Sequence, residues 1–160
     1  MKKVHGLGRR ERLLLQVAAI LHDCGKFISM SAPGECAYQI IMSTEILGIS
    51  HMEREMVASI VRYNTMELPN FNEFDGKLGN DEYLIVMKLA AILRVCNALD
   101  RSHRQKFADM KLTINDSNIV ITTAYPDNIT LEKKTLQDKQ DFFEEVYGLG
   151  FEIKQKKKKQ

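Results

Sequence analysis

Two segments of this chain are apolar around most of the circumference of a helix. They are Leu13–Leu21, inside a helix predicted over Arg9–Asp23, and Tyr83–Leu99. A helix that is hydrophobic nearly all round is buried against other elements rather than lying on a surface. The sequence therefore predicts a mainly α protein built on a helical bundle, with the second segment as a central helix.

Two shorter helices are predicted between these segments. The first covers Cys36–Leu47 and ends at Gly48, a residue type that commonly follows a helix C-terminus. The second begins after Ser50, and Glu53 three residues later completes the pattern of a capping box. Asp81 is predicted to cap the last long helix.

After Ala108 the hydrophobic period changes from that of helices to that of strands. The elements predicted there are strands over Lys111–Ile114, Ile119–Thr123, Ile129–Leu131 and Phe151–Ile153, and a helix over Gln137–Tyr147. We therefore predict a helical domain over residues 1–108, a small α+β module over residues 109–154, and a basic tail over residues 155–160 that we expect to be disordered.

The composition is that of an ordinary globular protein. Of the 160 residues, 44% are hydrophobic, and the net charge of +2 demands no polyanionic partner. Cys24, Cys36 and Cys96 are odd in number and show no Cys-x-x-Cys spacing, which favours reduced thiols. No apolar run is long enough to span a bilayer, and no secretory signal is visible. We therefore expect a cytoplasmic protein without membrane contact.

A His-Asp pair, His22 and Asp23, stands where the first helix is predicted to end. Burying such groups is costly unless a metal ion or hydrogen bonds compensate, and imidazole and carboxylate are both ligands for divalent ions. The alternative is a C-terminal cap, with the imidazole near the last carbonyls and Gly25 in the left-handed conformation. The pair alone does not separate these two hypotheses.

Asp100 ends the last bundle helix as Asp23 ends the first. If the two helix ends meet, one divalent ion would have three protein ligands and room for water and a phosphate oxygen. Lys26 would then reach that phosphate as a point charge. The alternatives for Asp100 are a cap, or an ion pair with Arg101 or Arg104.

The order of the motifs carries a family resemblance. The motifs are Ala18–Ser29, with its Leu-His-Asp-x-Gly-Lys core, then Glu53–Ala58, Val61–Tyr63, Lys88–Val95 and Ala98–His103. This set resembles the HD phosphohydrolase superfamily and, more narrowly, the C-terminal region of the exopolyphosphatase / guanosine pentaphosphatase family. The resemblance covers essentially the whole chain and implies an HD-like fold for residues 1–108.

The chain departs from that pattern at the expected metal ligands. An HD site takes its first histidine from a helix upstream of the His-Asp pair, and that helix would lie before residue 1. His5 is a poor substitute because it lies close to a chain end. Many members carry further histidines where this chain has Glu35 and Cys36, and then Asn64. The depleted set left for Mg²⁺ or Mn²⁺ is His22, Asp23 and Asp100.

The resemblance also implies that hydrolysis and substrate binding belong to different domains. Phosphoanhydride hydrolysis belongs to N-terminal actin-like domains, which this sequence lacks, and the HD-like region extends the polyphosphate-binding surface and forms the dimer. We therefore expect a homodimeric domain that binds polyphosphate or a phosphorylated nucleotide, with no hydrolysis of polyphosphate by this chain alone. The cationic candidates for phosphate binding are Lys26, Arg62, Arg94, Arg101, His103 and Arg104.

Two other functions stay open at this point. One is a metal-dependent HD phosphohydrolase that attacks a nucleotide or another phosphate ester with a metal-bound hydroxide, using His22, Asp23 and Asp100. The other is nucleic-acid binding by Lys156–Lys159, for which the sequence offers no recognised motif.

Overall fold

The computed structural model describes residues 6–74 and 77–156. The protein is mainly α-helical with a small α+β part at its C-terminal end, which confirms the predicted fold class. The α-helices are α1 (Arg9–Leu21), α2 (Pro33–Ser43), α3 (His51–Arg62), α4 (Asn80–Leu99), α5 (Thr130–Gln137) and α6 (Gln140–Tyr147). The strands are β1 (Lys111–Ile114), β2 (Asn118–Thr123) and β3 (Gly150–Gln155), and short 3-10 helices cover Cys24–Phe27 and Phe71–Glu73.

The chain divides into two compact units, Met1–Leu93 and Arg94–Gln160. The division falls inside α4, upstream of the change of hydrophobic period near Ala108. Of the predicted basic tail, residues 157–160 lie outside the described residues, whereas Gln155 ends β3. No helix within the described ranges is long and apolar enough to cross a membrane.

The central helix of the first unit is α3, in which all residues of Glu55–Val61 are buried. The buried positions of this helix include the polar residues Glu55 and Ser59 as well as the apolar ones. The Glu55 carboxylate is compensated by the hydroxyl of Tyr38, which donates a hydrogen bond of 2.6 Å to it. Burial, together with this bond to Glu55, raises the pKa of Tyr38 above its ordinary range.

The start of α3 is fixed by the predicted capping box. The Ser50 hydroxyl accepts a hydrogen bond from the Glu53 amide at 3.2 Å, and the Glu53 carboxylate accepts one from the Ser50 amide at 2.8 Å. Arg10 of α1 donates to the same carboxylate at 2.7 Å. The bond from Arg10 and that from Ser50 lower the pKa of Glu53 to about 2. One acidic side chain therefore both caps α3 and ties α1 to it.

The second unit contains a three-stranded sheet in the order β1-β2-β3. Strand β1 pairs antiparallel with β2, with Lys111 opposite Thr122, whereas β3 pairs parallel with β2, with Gly150 opposite Asn118. Ile119 of β2 is almost fully buried. These pairings confirm the predicted strands at residues 111–114, 119–123 and 151–153.

One prediction for the second unit is wrong, and one is right except for its first residues. Ile129–Leu131 is not a strand, because Thr130 begins α5 and the Asn128 side chain accepts a hydrogen bond from the Thr130 amide at 2.7 Å. The β-branched Ile129 and Thr130 favoured a strand, but the buried side chains of Glu132 and Leu136 follow the period of a helix. The helix predicted over 137–147 is interrupted after Gln137 and resumes as α6.

The predicted bounds of three bundle helices also differ from the structure. Helix α1 ends at Leu21, two residues early, and α2 begins at Pro33 and ends at Ser43. The earlier start of α2 follows from proline, which is well suited to the first turn of a helix. Helix α4 begins at Asn80, so Asp81 lies in its first turn and is not its cap.

Candidate functional site

The His22–Asp23 pair forms a hydrogen-bonded helix end. The Nδ1 atom of His22 lies 2.7 Å from the Ala19 carbonyl oxygen, so Nδ1 carries the proton and donates it. This bond confirms the predicted position of the imidazole near the last carbonyls. The other ring nitrogen, Nε2, lies 3.5 Å from the Asp23 Oδ1 atom. Lys26 forms an ion pair with the other carboxylate oxygen of Asp23 at 2.7 Å.

Gly25 is required for a different reason from the one predicted. The described glycines with positive φ are Gly6, Gly48 and Gly148, so the left-handed conformation expected for Gly25 is wrong. Gly25 instead lies directly against the start of α2. A Cβ atom on Gly25 would be 1.9 Å from the Pro33 carbonyl oxygen and 2.6 Å from the Ala37 amide nitrogen. Only a residue without a side chain lets this turn approach the helix so closely.

A second close approach joins the start of α2 to the end of α3. A Cβ atom on Gly34 would lie 2.8 Å from the Arg62 carbonyl oxygen and 3.1 Å from the Thr65 hydroxyl. Glu35, the next residue, forms an ion pair of 2.6 Å with the Arg62 guanidinium. The His22–Asp23 turn, the start of α2 and the end of α3 are therefore held together by contacts at Gly25 and Gly34.

Arg62 is engaged inside this cluster. Besides the ion pair with Glu35, its guanidinium lies 5.3 Å from the ring centroids of both Tyr38 and Tyr63. Such cation–π contacts and a carboxylate partner fix the orientation of the side chain and neutralise its charge. The sequence did not indicate this pairing, because Glu35 and Arg62 are far apart along the chain and no local pattern connects them.

Asn64 is the buried polar residue of the cluster whose side chain is unsatisfied. It is 3% exposed, and neither Oδ1 nor Nδ2 finds a hydrogen-bonding partner among the described residues. Cys36 and Cys24 are both half-buried. Burial raises the pKa of the Cys24 thiol, which keeps it protonated and poorly suited to binding a metal as a thiolate.

Asp100 directly follows α4 and organises the loop after it. Its Oδ1 atom accepts a hydrogen bond from the Gln105 amide at 3.0 Å, and its carbonyl oxygen accepts one from the His103 amide at 2.8 Å. Asp100 therefore stabilises the loop that follows α4. His103 and Gln105 have φ angles of 52° and 51°, the left-handed region that non-glycine residues rarely adopt.

Arg101, His103 and Arg104 project from this loop into solvent. Across residues 6–74 and 77–156, none of these three side chains forms an ion pair or a hydrogen bond. We call Asp100–Gln105 the basic loop. Arg94 lies about one and a half helical turns before the basic loop. Unlike the three loop side chains it has a partner, because its guanidinium stacks 4.3 Å from the centroid of the Phe142 ring.

A cavity of about 400 Å³ opens beside Asp100. Apolar side chains form most of its wall, and Asp100 and Gln105 supply polar groups. Its lining comprises Cys96, Leu99, Asp100, Gln105, Phe107, Ala108 and Met110.

For a metal ion, the described part of the first unit places two suitable donor atoms side by side, His22 Nε2 and Asp23 Oδ1. Catalytic metal sites usually take three protein ligands, so this pair is an incomplete set. No group of three or more His, Cys, Asp or Glu side chains within the described ranges is arranged to hold a metal ion. The ligand set His22, Asp23 and Asp100 stays a prediction, and His5 lies outside the described residues.

The comparison with known protein families identifies the kind of domain. The family model "Ppx/GppA phosphatase, domain III" matches residues 2–141, which is most of the chain and includes both the His22–Asp23 turn and the basic loop. The chain belongs to this family, the exopolyphosphatase-type phosphatases, as their third domain. No curated protein matches the sequence significantly.

Proposed function

We propose that this domain binds polyphosphate and assists an exopolyphosphatase-type protein in holding its substrate. The observation that carries the proposal is the basic loop, in which Arg101, His103 and Arg104 are exposed and without partners within the described residues. Guanidinium groups bind phosphate oxygens through two parallel hydrogen bonds, so two arginines on one short loop suit a chain of phosphates.

The other three cationic candidates are already engaged by neighbours. Lys26 is paired with Asp23, Arg62 with Glu35, and Arg94 stacks over Phe142. A phosphate would have to compete with these partners for each side chain. We therefore assign the main contribution to the basic loop and a smaller one to Lys26, the exposed member of the three.

A metal-dependent phosphohydrolase remains the second candidate. It is favoured by the position of His22, because a ring whose Nδ1 atom is held by a backbone carbonyl, while Nε2 faces a carboxylate, is typical of metal-binding histidines. A bound Mg²⁺ or Mn²⁺ would supply a nucleophilic hydroxide and stabilise charge on the phosphate. The Lys26 ammonium on Asp23 and the incomplete donor set count against it.

One experiment separates the two functions. We expect the purified chain to bind linear polyphosphate in calorimetry, to bind orthophosphate far more weakly, and to release no phosphate from polyphosphate or from a nucleotide with Mn²⁺ added. His22→Ala should leave polyphosphate binding unchanged. Phosphate release that depends on Mn²⁺ and is lost in His22→Ala would establish the phosphohydrolase instead.

We also propose that the chain forms a homodimer through an exposed apolar patch beside the His22–Asp23 turn. The patch consists of Ile20, Phe27, Ile28 and Met30, of which Phe27 is 94% exposed. Side chains of this size expose on the order of 150 Å² each, so the four supply about three quarters of the roughly 800 Å² that each partner buries in a standard interface.

Phe27→Asp is expected to convert this dimer to a monomer in analytical ultracentrifugation, because a charge in a desolvated interface is costly. Leu47→Asp is the matched control, since Leu47 is 96% exposed outside the patch, and it should remain dimeric. A wild-type chain that sediments as a monomer at high micromolar concentration would contradict the proposal.

The remaining expectations concern location and other partners. Cys24, Cys36 and Cys96 are free thiols, which supports a reducing, cytoplasmic environment as our proposal for the location. Nucleic-acid binding by Lys156–Lys159 stays a prediction, for which the sequence offers no recognised motif.

A further inference from the structure

A buried ion pair lies beneath the basic loop. The Lys106 ammonium is 3.0 Å from the Glu132 carboxylate, and the two side chains are 10% and 0% exposed. Lys106 also donates a hydrogen bond of 2.9 Å to the Asn128 carbonyl, and its charge lies 5.9 Å from the Tyr125 ring. The pair therefore connects the residue that follows the basic loop to α5 and to the segment before it.

Further bonds link the loop to the same place. Thr123, at the end of β2, donates a hydrogen bond of 3.0 Å to the Lys106 carbonyl. Burial alone would raise the pKa of Glu132, but hydrogen bonding, including that from the Lys106 ammonium, outweighs it and holds that pKa below its usual value. The Ser102 hydroxyl and the Glu132 Oε1 atom find no hydrogen-bonding partner among the described residues, so the link from Glu132 to the loop runs through Lys106.

The loop needs such support because of its backbone. His103 and Gln105 both occupy the left-handed region, and strained conformations of this kind persist only where the surroundings over-determine them. The local bonds of the loop run from the Gln105 and His103 amides to Asp100, and none of them joins the loop to another element. A buried ion pair is in general a weak source of stability compared with apolar side chains of similar volume, so its presence beneath a strained loop calls for another reason.

We infer that Lys106 and Glu132 are positioning residues, which hold the basic loop in its strained conformation so that Arg101 and Arg104 face the same phosphate chain. The effect of the pair on phosphate binding rests on the proposed function. Its effect on the order of the loop can be measured without any ligand.

The test is the double variant K106M/E132L, which replaces the pair by apolar side chains. We expect it to remain folded, since such replacements are often neutral for stability. Amide exchange at Gln105, which reports on the closed loop, should accelerate at least about tenfold. Polyphosphate affinity should fall about three- to tenfold, because the loop must be ordered on binding. The single variant K106R keeps the cation beside Glu132, so its Gln105 exchange rate and its polyphosphate affinity should both stay close to those of the wild-type chain.

The outcomes are separable from those of the proposed function. If the wild-type chain does not bind polyphosphate, the proposed function fails, and Gln105 exchange still decides the ordering of the loop. Unchanged exchange and affinity in a folded K106M/E132L protein would overturn the inference. The double variant could also be less stable overall while Gln105 exchange changes only as much as global unfolding does. That result would show that the pair has a merely structural role, and it would also overturn the inference. If the double variant does not fold, E132Q is measured in its place with the same expected direction.

Discussion

Replacing Gly25 by alanine is expected to lower the free energy of unfolding of the chain by about 3 kcal/mol or more, a large fraction of the stability of a domain of this size. The new Cβ atom would lie 1.9 Å from the Pro33 carbonyl oxygen and 2.6 Å from the Ala37 amide nitrogen. Both are backbone atoms, so neither can rotate away as a side chain would. The start of α2 would have to move away from the His22–Asp23 turn.

Chemical denaturation followed by circular dichroism measures this effect. Gly8→Ala is the matched control, because its Cβ atom would meet only the end of the flexible Glu11 side chain at 3.0 Å. The control should cost no more than about 1 kcal/mol, the range found at N-cap positions. A Gly25→Ala protein as stable as Gly8→Ala would show that the turn is not packed against α2 as described.

Removing both arginines of the basic loop is expected to weaken polyphosphate binding about 10- to 100-fold. Each guanidinium contributes hydrogen bonds to charged oxygens, and such bonds are worth about 1.5–3 kcal/mol each before losses to solvent exposure. The variant R101Q/R104Q keeps side chains of similar length and leaves the Asp100 bond to Gln105 in place. Calorimetric titration with polyphosphate of one defined chain length measures the change.

The control must remove the same charge from elsewhere in the same unit. Lys133 and Lys134 are exposed on α5, so K133Q/K134Q lowers the net charge by the same amount as R101Q/R104Q. We expect less than about a threefold loss for this control, since lysines act as point charges and lack the planar guanidinium that binds phosphate through two parallel hydrogen bonds. Equal losses in both variants would mean that binding follows net charge and not the basic loop.

Much of the fold was predictable because it depends on local patterns. The capping box at Ser50 and Glu53 and the strands at residues 111–114 and 119–123 follow from neighbouring residues. The error at Ile129–Leu131 has a physical reason, since a β-branched pair favours a strand locally while the buried Leu136 and Glu132 require a helix. The full burial of α3 also escaped prediction, because it depends on a partner for Glu55 from another helix.

The site was predictable in its residues more than in its contacts. The helix-end positions of His22 and Asp100 follow from the apolar segments before them. In the structure His22 bonds to the last turn of α1, whereas Asp100 bonds to the loop that follows α4. Two ion pairs join residues that are distant in sequence, Arg62 with Glu35 and Lys106 with Glu132. The local composition around these residues does not predict either pair. Long-range polar contacts of this kind need the folded chain to be seen.

The central claim is that the basic loop contacts the phosphate chain directly, and the salt dependence of binding tests it most directly. For flexible polyanions, the slope of log affinity against log salt is about −0.7 for each phosphate that a protein charge neutralises. We predict that the magnitude of this slope is smaller by about 1.4 in R101Q/R104Q than in the wild-type chain, and unchanged in K133Q/K134Q. An R101Q/R104Q protein with the wild-type slope, or a wild-type chain that does not bind polyphosphate at low salt, would contradict the account.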